Sequence, residues 1–135
     1  MKKFSQNEIE KVVKQLDFSK IEGNLIPVVA QSYETNEVLM LAFANKHAIK
    51  MSLETGYAHY YSRTRQAVWK KGETSGHYQV IEELLTDCDN DSILIKVKQI
   101  QGACHKGYYS CFHKTLEDAQ FKVNRERIFD PTEVY

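Results

Sequence analysis

A chain of 135 residues has room for one domain and can bury a core without disulfides or a structural metal. Its hydrophobic content of 42%, with eight Tyr and six Phe, excludes disorder as the whole account. Eighteen basic residues balance eighteen acidic ones; the chain lacks the global positive field that draws proteins to nucleic acid or an anionic membrane, so any phosphate must be met locally.

The N-terminus starts with two lysines but has no uninterrupted apolar run, which predicts a cytoplasmic protein. Ser5 and Glu8 fit a capping box, and Ile9, Val12, Val13 and Leu16 repeat with helical period. After Gly23 and Asn24, LIPVVAQSYETNEVLMLAFAN reads as two strands around a turn at Glu34 to Asn36. Pro27 cannot donate to a ladder and predicts an edge strand or a bulge. Asn45 caps a second helix that stops at Gly56. In AHYYSRTR, His59, Tyr61, Arg63 and Arg65 alternate as on one strand face. QAVWKKGETSGH reads as a loop, and YQVIEELLTD and SILIKVKQI as strands around the acidic turn DCDND. TLEDAQFKVN, in the tail, reads as a short helix. The expected fold is β-rich α+β, a mixed, curled, pseudobarrel-like sheet with two or three short helices in one domain over residues 1–135.

Three groups of side chains are chemically suggestive. Asp87, Asp89 and Asp91, if extended, share one face within about 7 Å and suit magnesium; a solvated turn is the plainer reading. Cys88, Cys104 and Cys111 are an odd number of thiols in a chain with no export signal, and three soft ligands with an open fourth position suit catalytic zinc. Scattered buried thiols are the alternative. Beside Cys104, His105 is a fourth ligand, a general base or a loop residue; His77 is a secondary candidate, while His47 reads as exposed on a helix and His59 and His113 as satisfied by backbone. Arg63, Arg65, Lys70 and Lys71, followed by Gly72, Thr74 and Ser75 and flanked by Trp69, form either a nucleotide cradle or a charged surface. No P-loop occurs.

Taken together, HYYSRTR, VWKKGETSGH, DCDND and ACHKGYYSCF, with the leading LIPVVAQSYETNEVLMLAFAN, resemble in order and spacing the signature segments of phosphoribosyl-AMP cyclohydrolases. The resemblance spans residues 23–114, leaving 1–22 as an N-terminal helical extension and 115–135 as a tail. It implies hydrolytic opening of the N1–C6 bond of 1-(5-phosphoribosyl)-AMP in histidine biosynthesis. It implies zinc on Cys88, Cys104 and Cys111, gathered across an intertwined homodimer, and magnesium on Asp87, Asp89 and Asp91. His105 becomes the candidate proton carrier, and Arg63, Arg65, Trp69, Lys71, Thr74 and Ser75 the candidate substrate contacts. The pyrophosphohydrolase domain of some family members has no room here, so a single activity is expected. The competing readings are a zinc deaminase, whose H-x-E and P-C-x-x-C motifs are absent, and a non-catalytic nucleotide-binding module with a structural zinc.

Overall fold

The computed structural model describes residues 1–135. Helix α1 spans Gln6–Lys14 and carries the expected capping box: the Ser5 hydroxyl accepts the Glu8 amide at 3.2 Å, and the Glu8 carboxylate accepts the Ser5 amide at 2.9 Å. Strands β1 (Ile26–Ser32) and β2 (Val38–Ala44) flank the anticipated turn. Helix α2 (Lys46–Thr55) begins where Asn45 Oδ1 accepts the Ala48 amide and ends at Gly56, whose φ of 79° closes the helix in the left-handed region. Then follow β3 (His59–Ser62), β4 (Ala67–Lys70), β5 (Gln79–Thr86), β6 (Ile93–Gln99), β7 (Lys114–Glu117), β8 (Gln120–Val123) and a 3-10 turn at Pro131–Glu133.

The main sheet has the order β2-β1-β6-β5 and is mixed: β1 runs parallel to β6, while the other pairs are antiparallel. β3-β4 and β7-β8 are separate two-stranded sheets, and no barrel closes. Along β1 every second side chain is buried from Ile26 to Ser32, the period expected of a strand with one face in the core. The core of 19 buried residues includes Ile9 and Val13 of α1 and Phe18 beyond it, so the N-terminal extension is an integral layer of the domain. Deeper polar groups are paired: Tyr60 Oη donates to Gln79 Oε1 at 2.5 Å, and Gln79 Nε2 donates to Gln99 Oε1 at 2.9 Å.

Several expectations change. β1 is a central strand, and Pro27 is tolerated because the ladder with β6 begins only at Val28. The bulge lies in β2, where Leu39 is the extra residue opposite the Ala30–Gln31 step of β1. The run from Arg63 to Gln66 is a hairpin turn, closed by Gln66 at φ 52° and by the Ser62 hydroxyl accepting the Arg65 amide at 3.2 Å, so Arg63 and Arg65 do not continue a strand face. Within the expected loop, Ala67–Lys70 is strand. The tail segment TLEDAQFKVN is a hairpin, not a helix, because Asp118 and Ala119 at φ 51° and 62° make a two-residue turn matched to the twist of antiparallel strands. No helix is long and apolar enough to cross a membrane.

If α1 belongs to the one core, replacing Ile9, which is 1% exposed, by Ala should destabilise the whole domain. The expected loss is about 2–5 kcal/mol in a single urea transition. A small early transition with the main midpoint unchanged would make α1 a detachable appendage.

Candidate active site

The connection between β5 and β6 carries the acidic group. It is a turn, not extended chain: Asn90 takes φ 61°, and Asp87 Oδ1 accepts the amides of Asp91 at 3.0 Å and Ser92 at 3.2 Å. Strand alternation therefore does not align the aspartates; the turn does, and ligand oxygens of Asp87, Asp89 and Asp91 lie within 4.8 Å of one another. Lys20, remote in sequence, donates to Asp89 Oδ2 at 2.6 Å and stands 3.0 Å from Asp91 Oδ2. That hydrogen bond holds the Asp89 carboxyl down at about 2. Lys20 also favours ionised Asp91, but the neighbouring Asp89 and Asp87 carboxylates outweigh it and leave that group raised. Hard oxygen donors converging on a solvent-facing turn fit a magnesium ion.

Cys104 and Cys111 sit on the loop after β6. The loop folds back on itself, with the Ala103 amide donating to the Tyr109 carbonyl at 3.0 Å and the Cys104 amide to the Tyr108 carbonyl at 3.1 Å. Gly102 is required by this approach, since a Cβ there would stand 2.6 Å from the Tyr108 carbonyl oxygen. The Cys111 amide donates to the Leu39 carbonyl of β2 at 2.7 Å, which fixes the far end of the loop on the sheet. Both cysteines line a depression of about 330 Å³ together with His105 and His113. Although Cys111 is exposed as a residue, its sulfur is sheltered against Cys104, and burial followed by the Cys104 charge pushes its thiol up to about 11. Two soft sulfurs side by side fit a zinc ion. Cys88 is exposed on the acidic turn and does not join them within one chain, where the aspartates are the only three-ligand cluster.

The expected cradle is brought together. Arg65, Trp69, Lys71, Thr74 and Ser75 line a hollow of about 230 Å³, which Tyr135 and His105 also border. Arg63 lines the adjoining hollow of about 620 Å³, with its guanidinium 4.2 Å from the centre of the Phe43 ring. Arg65, Trp69 and His105 line both hollows, and His105 borders the thiol depression as well. His105 is thus the one candidate side chain shared by cradle and thiols. Lys71 differs from its neighbours: it is 9% exposed, and its ammonium donates to the Ala103 carbonyl at 2.5 Å, beneath the loop rather than toward solvent. Burial lowers its pKa, opposed by the nearby Cys111 and Cys104 sulfurs.

The structural histidines behave as their positions suggest. His59 Nδ1 lies 2.8 Å from the Tyr57 carbonyl and His113 Nδ1 3.1 Å from the Ser110 carbonyl, while His47 is exposed. His113, stacked on Tyr108 with ring centres 3.8 Å apart, nonetheless faces the thiol depression, which its sequence position did not signal. His77 is buried against Phe129 with Nδ1 unpartnered, outside the cradle. Sequence reasoning also missed Lys20 and Tyr135, because nothing local marks contacts made across so much chain.

Residues 40–113 match the sequence model of the phosphoribosyl-AMP cyclohydrolase family. The chain belongs to that family. It is 55% identical over 114 residues to a phosphoribosyl-AMP cyclohydrolase of Methanothrix thermoacetophila, covering 84% of this chain and 92% of that one. With a phosphoribosyl-AMP cyclohydrolase of Desulforapulum autotrophicum it shares 54% identity over 123 residues, 90% of this chain and 98% of the relative. A histidine biosynthesis bifunctional protein of Thermoanaerobacter pseudethanolicus is 48% identical over 127 residues; that covers 94% of this chain and 58% of the relative, so the chain spans little more than half of its length. These matches are longer than the 23–114 span of the motifs. They do not favour a binding module without catalysis.

The sheltered sulfur gives a direct measurement. In metal-free protein, alkylation of Cys111 by iodoacetamide, followed by mass spectrometry, should stay slow near neutral pH and climb toward pH 11. The folded thiol holds its proton more tightly than an ordinary thiol of pKa 9.0, so its stabilising contribution is full below about pH 9 and is lost as pH rises to about 11. A reaction rate that levels off near pH 9 would show that the sulfur is not sheltered.

Proposed function

We propose that this chain carries out the reaction named by its family: hydrolysis of the N1–C6 bond in the adenine ring of 1-(5-phosphoribosyl)-AMP, yielding the phosphoribosyl-formimino-aminoimidazole carboxamide ribonucleotide of histidine biosynthesis. The observation that carries the proposal is the meeting of a basic, aromatic nucleotide cradle with a pair of thiols at His105, in a chain 55% identical to a named cyclohydrolase.

A phosphoribosyl group on N1 polarises the ring and makes C6 more electrophilic than in AMP. The elements of water add across the bond, oxygen to C6 and a proton to the departing N1. Arg63 and Arg65 present planar, fully charged guanidiniums for phosphate oxygens. Thr74 and Ser75 offer hydroxyls, and Trp69 offers a face on which a base can stack. His105 borders cradle and thiols alike, the position required to take a proton from attacking water and return it to N1. Cys104 and Cys111 would hold zinc and the three aspartates magnesium; when bound, zinc supplies Lewis acidity toward water and magnesium supplies charge for phosphate oxygens.

The separation of Cys88 from the other sulfurs within one chain supports a homodimer in which the third zinc ligand comes from a second copy. The family membership and the absence of a long apolar helix are compatible with a cytoplasmic biosynthetic enzyme.

Purified protein supplied with zinc and magnesium should change the ultraviolet absorbance of phosphoribosyl-AMP as the ring opens, and Cys104→Ser or Cys111→Ser should remove turnover and bound zinc together. Well-folded, metal-loaded protein that leaves the spectrum unchanged would refute the assignment. Subunit sharing has its own test. Cys88→Ser and Cys104→Ser chains, each inactive alone, should regain about a quarter of wild-type activity after mixing and reassembly, because half the dimers are mixed and each mixed dimer has one intact site of two. No recovery in mixtures shown by mass spectrometry to contain the mixed dimer would place all the ligands in one chain.

A further inference from the structure

The acidic turn is already occupied by a cation of the protein's own making. Lys20 comes from the segment between α1 and β1, and its ammonium reaches Oδ2 of both Asp89, at 2.6 Å, and Asp91, at 3.0 Å. The segment is aimed there by backbone and side-chain bonds. The Asp17 amide donates to the Asn90 carbonyl at 2.7 Å, tying the segment to the turn. Asp17 Oδ1 accepts the Ser19 amide at 2.8 Å and the Ser19 hydroxyl at 2.5 Å, which bends the chain just before Lys20. Phe18, 5% exposed, anchors the segment in the core.

We propose that Lys20 is a resident counter-cation of the Asp87, Asp89 and Asp91 cluster, which a divalent ion must displace in order to bind. The inference rests on the magnesium reading above. Magnesium needs oxygen ligands at about 2.1 Å in near-ideal octahedral geometry, and an ammonium on two of the three carboxylates both occupies lone pairs and repels a second cation. Without Lys20 the three aspartates would face one another uncompensated, so the ammonium keeps the turn assembled before metal arrives. Its side chain is 47% exposed, and half-exposed ion pairs are weak, so the displacement is readily reversible.

Binding of Mn²⁺ to the full-length chain, read from the loss of the free-ion electron paramagnetic resonance signal, separates the outcomes without any activity assay. Lys20→Met should bind Mn²⁺ about threefold to tenfold more tightly than the unaltered chain at low ionic strength. Lys3→Met removes the same charge from an exposed lysine outside every ion pair, and should change affinity by less than about twofold. Lys20→Gln serves equally if the Met variant folds poorly. Equal or weaker Mn²⁺ binding by the Lys20 variants, with binding still lost in Asp89→Asn, would overturn the displacement and leave the magnesium site standing. No Mn²⁺ binding by any of the chains would overturn both.

Discussion

The buried ammonium of Lys71, donating to the Ala103 carbonyl at 2.5 Å, is the interaction on which the arrangement of the site depends. It joins the end of the β3-β4 hairpin to the loop that carries Cys104, two pieces of chain with no shared ladder. Its own amide donates to the Ala58 carbonyl at 3.0 Å, so the residue is held at backbone and side chain alike. A buried cation is costly unless it is paired, and here the carbonyl and the nearby sulfurs offset part of the loss of water, which still lowers the Lys71 pKa. The electrostatic consequence is mutual: the ammonium favours thiolate, and thiolate favours the ammonium.

Around that point the fold acts as a rigid support for chemistry carried by turns. The β3-β4 hairpin is placed against the main sheet by the Tyr60, Gln79 and Gln99 chain of hydrogen bonds and by the Ala58 amide donating to the Gln79 carbonyl at 3.0 Å. Each buried amide in that chain has a partner, so the network specifies one placement of the hairpin instead of several. The acidic turn and the thiol loop then project from β5 and β6, whose buried side chains alternate, and the Arg63–Gln66 turn from the β3-β4 hairpin. Catalytic groups on loops over a rigid sheet are a common solution, because loops tolerate the backbone conformations that sheets exclude. Asn90 at φ 61° and Gln66 at φ 52° take such backbone conformations.

Local signals were legible where their cause is local. Ser5 with Glu8, Asn45 and Gly56 marked helix ends because caps are made by residues a few positions apart; β1 and β2 were marked by apolar and branched residues around a polar turn, and β5 and β6 by apolar residues at period two. The errors have local causes too. TLEDAQFKVN contains good helix formers, but the backbone at Asp118 and Ala119 turns left-handed and the segment pairs with itself. The cradle strand β4 was hidden because AVWK is short and is followed by glycines, so only its pairing with β3 reveals it.

By itself the sequence determined the family, since four motifs in one order resemble one family and the family model matches residues 40–113. It also determined the start of α1 and both ends of α2, because capping acts over a few residues. Only the tertiary structure decided that β1 is central, that Lys71 lies under the thiol loop and that Lys20 reaches Asp89 across 69 residues. These depend on how distant segments close on a common core, a property of the whole chain's packing that no window of neighbouring residues contains.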